Sequence, residues 1–387
     1  MQALLLVDAD MHRREKPLLD RLLVGLLDEG VRPTLAAPAA ALRVDASQPE
    51  PASAARSSGG GENETGFVRL VEIEPHLPGP GERGEAASIV ERAKVDEKDA
   101  GVVHAWGEGV WRLAMRCAAR LGWPCVVEAW RVCPPSQLRA AKRFWRRLAQ
   151  RSPLCFAASD ERLAEALTRG LGREEGVMVQ TSLWGSHAAS TPLLRRSASP
   201  PLLCCALATS GRDVEALVAA VEGFTAVARD DDGAMLFLDE EATSRSRAAW
   251  RRAKALQALD KVTMLPDAEA NRLWTLRCPF VLAPDRLGER RSALLDALGQ
   301  GAVTLCSDEP CPPRWFQADT TAVVVPEATP QAWAATLERL WRQPAQAAAI
   351  SEGAAAFVQQ ERSVWRHVQA TLAVYAEAAR HAEASSP

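Results

Sequence analysis

Two carboxylates, Glu289 and Asp296, bracket the start of a short apolar helix in DRLGERRSALLDALGQ, residues 285–300. The apolar run PFVLAP (279–284) ends just before them, and GAVTLCS (301–307) follows. In α/β folds, ligands bind outside the carboxyl ends of the strands. A helix beginning near Ser292 presents unsatisfied N–H groups and the positive end of its dipole there. Asp296, one turn on, projects from the same face as Ser292. The combination suits an anionic ligand that also carries hydroxyls for a carboxylate to hold. The plainer alternative is that Asp296 is a solvated or i,i+4-paired helix acid and Glu289 a surface acid.

A second candidate anion site lies in ALATSGRDVEAL (206–217). Gly211 allows the backbone to approach a ligand closely, and Arg212 could lean toward phosphate at a helix N-terminus. The same residues also read as a simple Ser/Gly cap. His104 ends the apolar run AGVVHAW (100–106), where it faces either a ligand or the core. In DADMHRREKP (8–17), His12, Arg13, Arg14 and Lys16 could meet an anionic acceptor, or form a solvated loop. No Ser-His-Asp set, P-loop or metal-ligand spacing is visible.

These residues need strands and helices in alternation to position them, and the sequence supplies two such series. ALLLVDAD (3–10) reads as a buried strand, KPLLDRLLVGLLDEG (16–30) as a helix stopped by Gly30, and RPTLAAP (32–38) as a strand. Residues 42–65, rich in Ser, Pro, Gly and Ala, read as a surface loop. Strands follow at 66–75, 100–106, 124–130, 154–159 and 176–182, with helices at 85–95, 109–122, 136–151 and 160–172. HAASTPLLRRSASPPLL (187–203) has three prolines and no period, so it reads as a linker. Beyond it, strands are expected at 202–208, 234–239, 261–266, 279–284, 301–307 and 321–327. The helices between them fall at 212–228, 242–259, 267–277 and 291–299, with three closing helices at 330–342, 344–360 and 363–382. The fold class is α/β, with two Rossmann-like lobes and a cleft between them.

The 387 residues are ample for two cores, and 47% hydrophobic with 25% charged residues is ordinary for a globular chain. A net charge of −3 gives no reason to expect nucleic acid. The one concentrated basic stretch is SQLRAAKRFWRRLAQR (136–151). Its residues 139–151 could contact an anionic membrane surface peripherally, or form an ordinary solvated helix with Phe144 and Trp145 facing the core. Nine cysteines, mostly inside apolar runs and without a Cys-x-x-Cys pair, read as buried reduced thiols. The opening MQALLLVDAD lacks a basic segment and is too short in its apolar run for a secretory leader, so a cytoplasmic protein is expected.

The order of several phrases resembles the GT-B glycosyltransferases, among them the retaining group that includes sucrose, trehalose-phosphate and mannosyl transferases. The phrases are GVVHAWGEGVWRLAMRCAARLGWPCVVEAW (101–130), AASDERLAEALTRGLGREEGVMVQTSLWG (157–185), DKVTMLPDAEANRLWTLRCPFVLAPD (260–285) and VWRHVQATLAVY (364–375). The resemblance implies an acceptor lobe at 1–186, a linker at 187–201 and a nucleotide-sugar lobe at 202–362. The final helix, 363–387, would return to the first lobe. It further implies sugar transfer from a nucleotide-sugar donor to an unknown acceptor, with neither metal nor other cofactor. Glu289 and His104 would be catalytic, while Gly211, Arg212, Ser292 and Asp296 would hold the nucleotide. The sequence departs from the family's Glu-x7-Glu pattern. The first acid falls on Gly288, beside Glu289, and the second is the shorter Asp296. The family's Arg and Lys fall on Leu207 and Gly211. These departures leave open a catalytically silent GT-B-like scaffold that binds a glycan or partner. A two-lobed nucleotide-sugar epimerase is a further reading.

Overall fold

The computed structural model describes residues 1–42, 64–65, 68–74, 82–95, 99–148, 153–172, 176–195, 202–207, 214–229, 233–238, 247–265, 276–284, 291–308 and 312–384. The first sheet contains β1 (Gln2–Val7), β2 (Arg32–Pro38), β3 (Glu64–Thr65), β4 (Val68–Ile73), β5 (Gly101–Trp106), β6 (Cys125–Ala129), β7 (Leu154–Ala158) and β8 (Val177–Thr181). Their order is β3-β4-β2-β1-β5-β6-β7-β8. All neighbours pair in parallel except the short β3, which runs antiparallel to β4. The second sheet contains β9 (Leu203–Ala206), β10 (Met235–Leu238), β11 (Val262–Met264), β12 (Phe280–Ala283), β13 (Val303–Ser307) and β14 (Ala322–Val325). It is wholly parallel in the order β11-β10-β9-β12-β13-β14. Both sheets are doubly wound, with the strand order reversing beside β1 in one and β9 in the other. Runs such as GVVHAW and FVLA are buried along their whole length, as strands covered on both faces must be.

The helices of the first series are α1 (Ala9–Asp28), α2 (Ala39–Leu42), α3 (Glu82–Ala93), α4 (Trp111–Leu121), α5 (Pro135–Leu148) and α6 (Glu161–Leu171). The second series has α7 (Val214–Val227), α8 (Arg247–Ala255), α9 (Ser292–Gly299), α10 (Pro330–Arg342), α11 (Pro344–Glu361) and α12 (Val364–Ala384). The helix expected at 267–277 falls almost wholly outside the described residues. The residues read as a loop at 8–17 are instead the start of α1. Asp8 caps the helix by accepting from the Met11 amide at 2.8 Å. Pro17 lies inside it, lacking an N–H and crowding the preceding turn. The backbone responds with a kink at Glu15 (φ −117°, ψ 15°).

On α5, the exposed arginines 139, 143, 146 and 147 occupy the outer face, and Trp145 is buried. Phe144 is covered by Arg112 and Arg116, whose guanidinium carbons lie 4.7 and 4.9 Å from its ring centre. Its aromatics therefore belong to the interior or to neighbouring side chains. The eight described cysteines are all buried and unbridged. No described helix is long and apolar enough to cross a membrane.

The backbone passes between the sheets at two points that lie side by side. Near the first, the Ser186 amide donates to the Arg362 carbonyl at 2.7 Å, and Ser186 bridges Ser363 at the second. After this point α12 runs back over α1 and the β5–β8 side of the first sheet. A core cluster of β1, α1 and β5 side chains accordingly includes Val368, Val374, Tyr375 and Ala378 of α12. It also takes in Leu295 and Leu298 of α9. The second sheet has its own cluster, built on α7, α8, α10 and α11.

The double crossing leaves no room for a side chain at position 185. A Cβ there would sit 2.3 Å from the Ser363 carbonyl oxygen and 2.9 Å from that of Arg362. Backbone atoms held by the Ser186–Ser363 bridge cannot yield cheaply. Gly185→Ala is expected to lower unfolding free energy by about 1–3 kcal/mol, read as a lower urea midpoint at unchanged m-value.

Candidate functional site at the lobe boundary

Helix α9 is the next described element after β12, and its start meets α1 of the first lobe. Arg291 stands at its N-cap in extended conformation and supplies no side-chain cap. The open donor is taken from across the boundary: the Ser292 amide donates to Glu15 Oε2 of α1 at 3.0 Å. Ser292 is 2% exposed and Glu15 1%. Four residues along, Asp296 Oδ1 lies 2.9 Å from Arg21 Nη1, also of α1. The same oxygen accepts a short hydrogen bond from the Ser186 hydroxyl at the crossing. Ser292 and Asp296 thus share a face, and that face meets α1.

The Pro17 kink places Glu15 where it can reach α9. Its carboxyl pKa is raised because burial strips water from the charged form. Arg14, Arg291 and the Ser292 hydrogen bond work in the opposite direction. Its Oε1 has no hydrogen-bond partner. Arg14 also lies over Trp130, its guanidinium carbon 4.5 Å from the ring centre. His12 is buried within α1, while Lys16 pairs with Asp20 at 2.7 Å on its surface. These basic residues stand on a helix facing several directions, not on a loop converging on one ligand.

Of the residues expected to hold a ligand, the structure brings Ser292 and Asp296 together. Gly211, Arg212 and Glu289 lie outside the described residues. His104 sits apart from both, at zero exposure in the first lobe. Its Nδ1 lies 2.8 Å from the Tyr375 hydroxyl and its Nε2 3.1 Å from Glu128 Oε2. Glu128 Oε1 accepts from the Ser182 hydroxyl at 2.7 Å and the Trp184 indole at 2.6 Å. The network is closed: it ties β5, β6 and the end of β8 to α12, and both imidazole nitrogens are engaged within it.

Sequence reasoning missed Glu15 and Arg21. Glu15 stood in a basic run, and Arg21 in an amphipathic helix whose polar positions are normally solvated. Pro17 was the available signal, since proline within a helical period announces a kink.

At the cleft side of the first sheet, Asp8 also accepts from the Gly109 amide at 3.1 Å, joining the ends of β1 and β5. Gly107 adopts φ +100°, and a Cβ there would meet Asp8 at 2.1 Å. Beyond β6, Arg131 grips Glu108 through two bonds of 2.7 Å, with Gln137 adding a third at 2.6 Å. This rim is therefore largely satisfied by its own side chains. Among the described residues, no three His, Cys, Asp or Glu side chains gather in a way that could hold a metal.

No protein-family model matches the chain, and no curated protein sequence matches it. Solved structures do. A glycosyltransferase from Rickettsia africae superposes with a TM-score of 0.67 at 12% identity, covering 97% of this chain and 98% of that one. HepE from Anabaena, solved with UDP-glucose, gives 0.68 at 13% identity over 97% of this chain and all of its own. Sucrose-phosphate synthase from Thermosynechococcus elongatus gives 0.67 at 12% identity, with 97% and 99% covered. The chain has the GT-B glycosyltransferase-like fold, two Rossmann-like lobes in the arrangement of these proteins.

One buried group near the boundary gives a pH signature. His367 of α12 has neither ring nitrogen hydrogen-bonded, and its ring centre lies 6.5 Å from that of Trp106. Burial, then Arg21, His104 and Arg362, lower its pKa from 6.5 to about 3. The unfolded chain therefore binds this proton more readily than the native one between those values. The native state loses stability as pH falls from 6.5 toward 3. Urea titrations at pH 7.5 and 4.5 are expected to show a smaller acid loss for His367→Leu than for wild type.

Proposed function

We propose that this protein transfers a sugar from a nucleotide-sugar donor to an acceptor in the cleft between its lobes. The observation carrying the proposal is the placement of Ser292 and Asp296 on one face of the helix after β12, directed at the opposite lobe. In a retaining transfer a nucleoside diphosphate leaves while the sugar passes through an oxocarbenium-like state. Without a metal, the departing charge must be met by backbone N–H groups at a helix start and by guanidinium groups. We assign that work to the Ser292 turn, Gly211 and Arg212. The ribose hydroxyls go to Asp296, and Glu289 stabilises the sugar. His104 acts at a distance in this reading, as a positioning residue that holds α12 against β5.

The second reading, a GT-B scaffold without catalysis, is favoured by one observation: Ser292 N–H and Asp296 are both engaged by α1. Thermal shift and calorimetry with UDP, GDP and ADP decide between the readings. A ligand at 100 times its Kd adds about 2.7 kcal/mol of stability. The transferase reading expects one diphosphate to reach such a shift and Asp296→Ala to abolish it. It also expects Glu289→Gln to cut turnover while leaving donor affinity nearly unchanged. Failure of all three diphosphates to bind, with no donor hydrolysis, eliminates the transferase reading and leaves the scaffold.

We also propose that α5 docks peripherally on anionic lipid. Its outer face carries the exposed arginines 139, 143 and 147, and the helix contains no acidic residue. Contact would be electrostatic, since Trp145 is buried and unavailable for insertion. Co-flotation with phosphatidylserine vesicles is expected at 50 mM salt and lost at 500 mM, as screening demands. Absence of flotation at low salt removes the proposal.

A further inference from the structure

Among the described residues, seven large hydrophobic side chains stand more than a third exposed. Three of them, Leu256, Leu259 and Met264, fall in one nine-residue stretch. Leu256 and Leu259 lie in the turn leaving α8, and Met264 ends β11, the edge strand of the second sheet. The turn is held by the two hydrogen bonds of a Schellman cap. The Ala258 amide donates to the Ala253 carbonyl, and the Gln257 amide to that of Lys254, each at 3.0 Å. Gln257 takes φ +56°, the left-handed conformation that usually calls for glycine. The cap buries Ala253 and Ala258 and leaves Leu256 and Leu259 39% and 38% exposed.

The helix that ends in this turn is basic, although the chain carries a net charge of −3. Between residues 247 and 261 there are five Arg or Lys and one acid, Asp260. Two of the cations are engaged. Arg252 grips Glu222 at 2.7 and 3.0 Å, and Lys261 donates to the Ala228 and Arg229 carbonyls. The other three, Arg247, Arg251 and Lys254, are exposed. Their i, i+4, i+7 spacing sets them on one face of α8. Ala249 and Ala253, on the opposite face, are buried. One short element thus presents a row of cations that runs into two outward leucines.

A second copy of the chain fits this surface poorly, because a two-fold contact would set three cations against the same three. Three apolar side chains are also few beside the roughly 20–30 residues that a stable protein interface engages on each side. An anionic bilayer asks for neither symmetry nor matching shape. It takes apolar tips below its headgroups and long cationic side chains at their level.

We infer that the end of α8 seats the second lobe on anionic lipid. Leu256 and Leu259 enter the bilayer beneath headgroups that Arg247, Arg251 and Lys254 hold. The surface is distinct from α5 in the first lobe, and it does not depend on the nucleotide-sugar reading.

The described cysteines are all buried, so Leu259→Cys can be labelled selectively with an environment-sensitive fluorophore in the folded protein. With vesicles one-third phosphatidylserine at 50 mM salt, the label is expected to shift to the blue and resist a water-soluble quencher. With pure phosphatidylcholine it is expected to do neither. In vesicle sedimentation, Leu256→Ser/Leu259→Ser is expected to bind tenfold or more weaker than wild type. Arg247→Gln/Arg251→Gln/Lys254→Gln is expected to lose at least as much, since each cation near an anionic surface contributes about fivefold. All five positions are exposed, so neither variant disturbs the core. An unshifted label on vesicles that carry the protein means that α5 binds alone, and it overturns the inference. Wild-type binding by the double serine variant does the same. A blue shift that grows with protein concentration without vesicles makes a second copy the occupant and also overturns it. Failure of wild type to bind these vesicles removes both this seat and α5 docking.

Discussion

A carboxylate taken out of water must be paired, and Asp296 determines how the two lobes face each other. At 4% exposure it cannot rely on solvent. Its partners come from the first lobe and from the crossing: Arg21 at 2.9 Å and the Ser186 hydroxyl. Removing one member of a buried ion pair typically costs about 3–5 kcal/mol, whereas the intact pair contributes little beyond a hydrophobic alternative. The interaction is thus better understood as specifying geometry than as supplying stability. Any rotation of one lobe that separates α1 from α9 strands a charge in the interior. The surrounding contacts follow from this alignment: Glu15 reaches the α9 amide, and Leu295 and Leu298 of α9 enter the cluster built on β1 and α1.

The same demand for paired polar groups organises the first lobe. Glu128 is buried on β6 and accepts from Ser182 and Trp184, while His104 joins it to Tyr375. Strands β5 and β6 and the chain leaving β8 are thereby linked to a helix whose Tyr375 lies 271 residues beyond His104. Such a network is tolerant of nothing that leaves one member unpaired. It accounts for a glutamate and a histidine in strands that are otherwise apolar. The alternation of polar and apolar residues alone could not have told a satisfied buried group from an active one.

The architecture was legible because buried parallel strands write themselves as short apolar runs between punctuated helices. GVVHAW, PCVVEAW and FVLAP are read correctly from composition and spacing, as is the long α12. The beginning of α1 was not, because its charges suggested a loop; a cap at Asp8 and a kink around Pro17 accommodate them in a helix. Ser292 and Asp296 were recoverable as a pair because a helical period fixes their common face. What that face meets was not recoverable. Glu15 and Arg21 lie about 280 residues away from their partners, and no local pattern encodes so distant a pairing.

The return of α12 to the first lobe has a consequence for the order in which this molecule can be made. The cluster around β1, α1 and β5 includes Val368, Val374, Tyr375 and Ala378, and the Tyr375 hydroxyl meets His104. A chain emerging from the ribosome presents the first eight strands long before those side chains exist. Domains usually mature in the order of their synthesis, but here the earlier lobe must wait with an uncovered apolar flank while the later one forms. Closure of that flank is a contact between the beginning and the far end of the sequence, so completion of the first lobe becomes the last event of assembly, not the first.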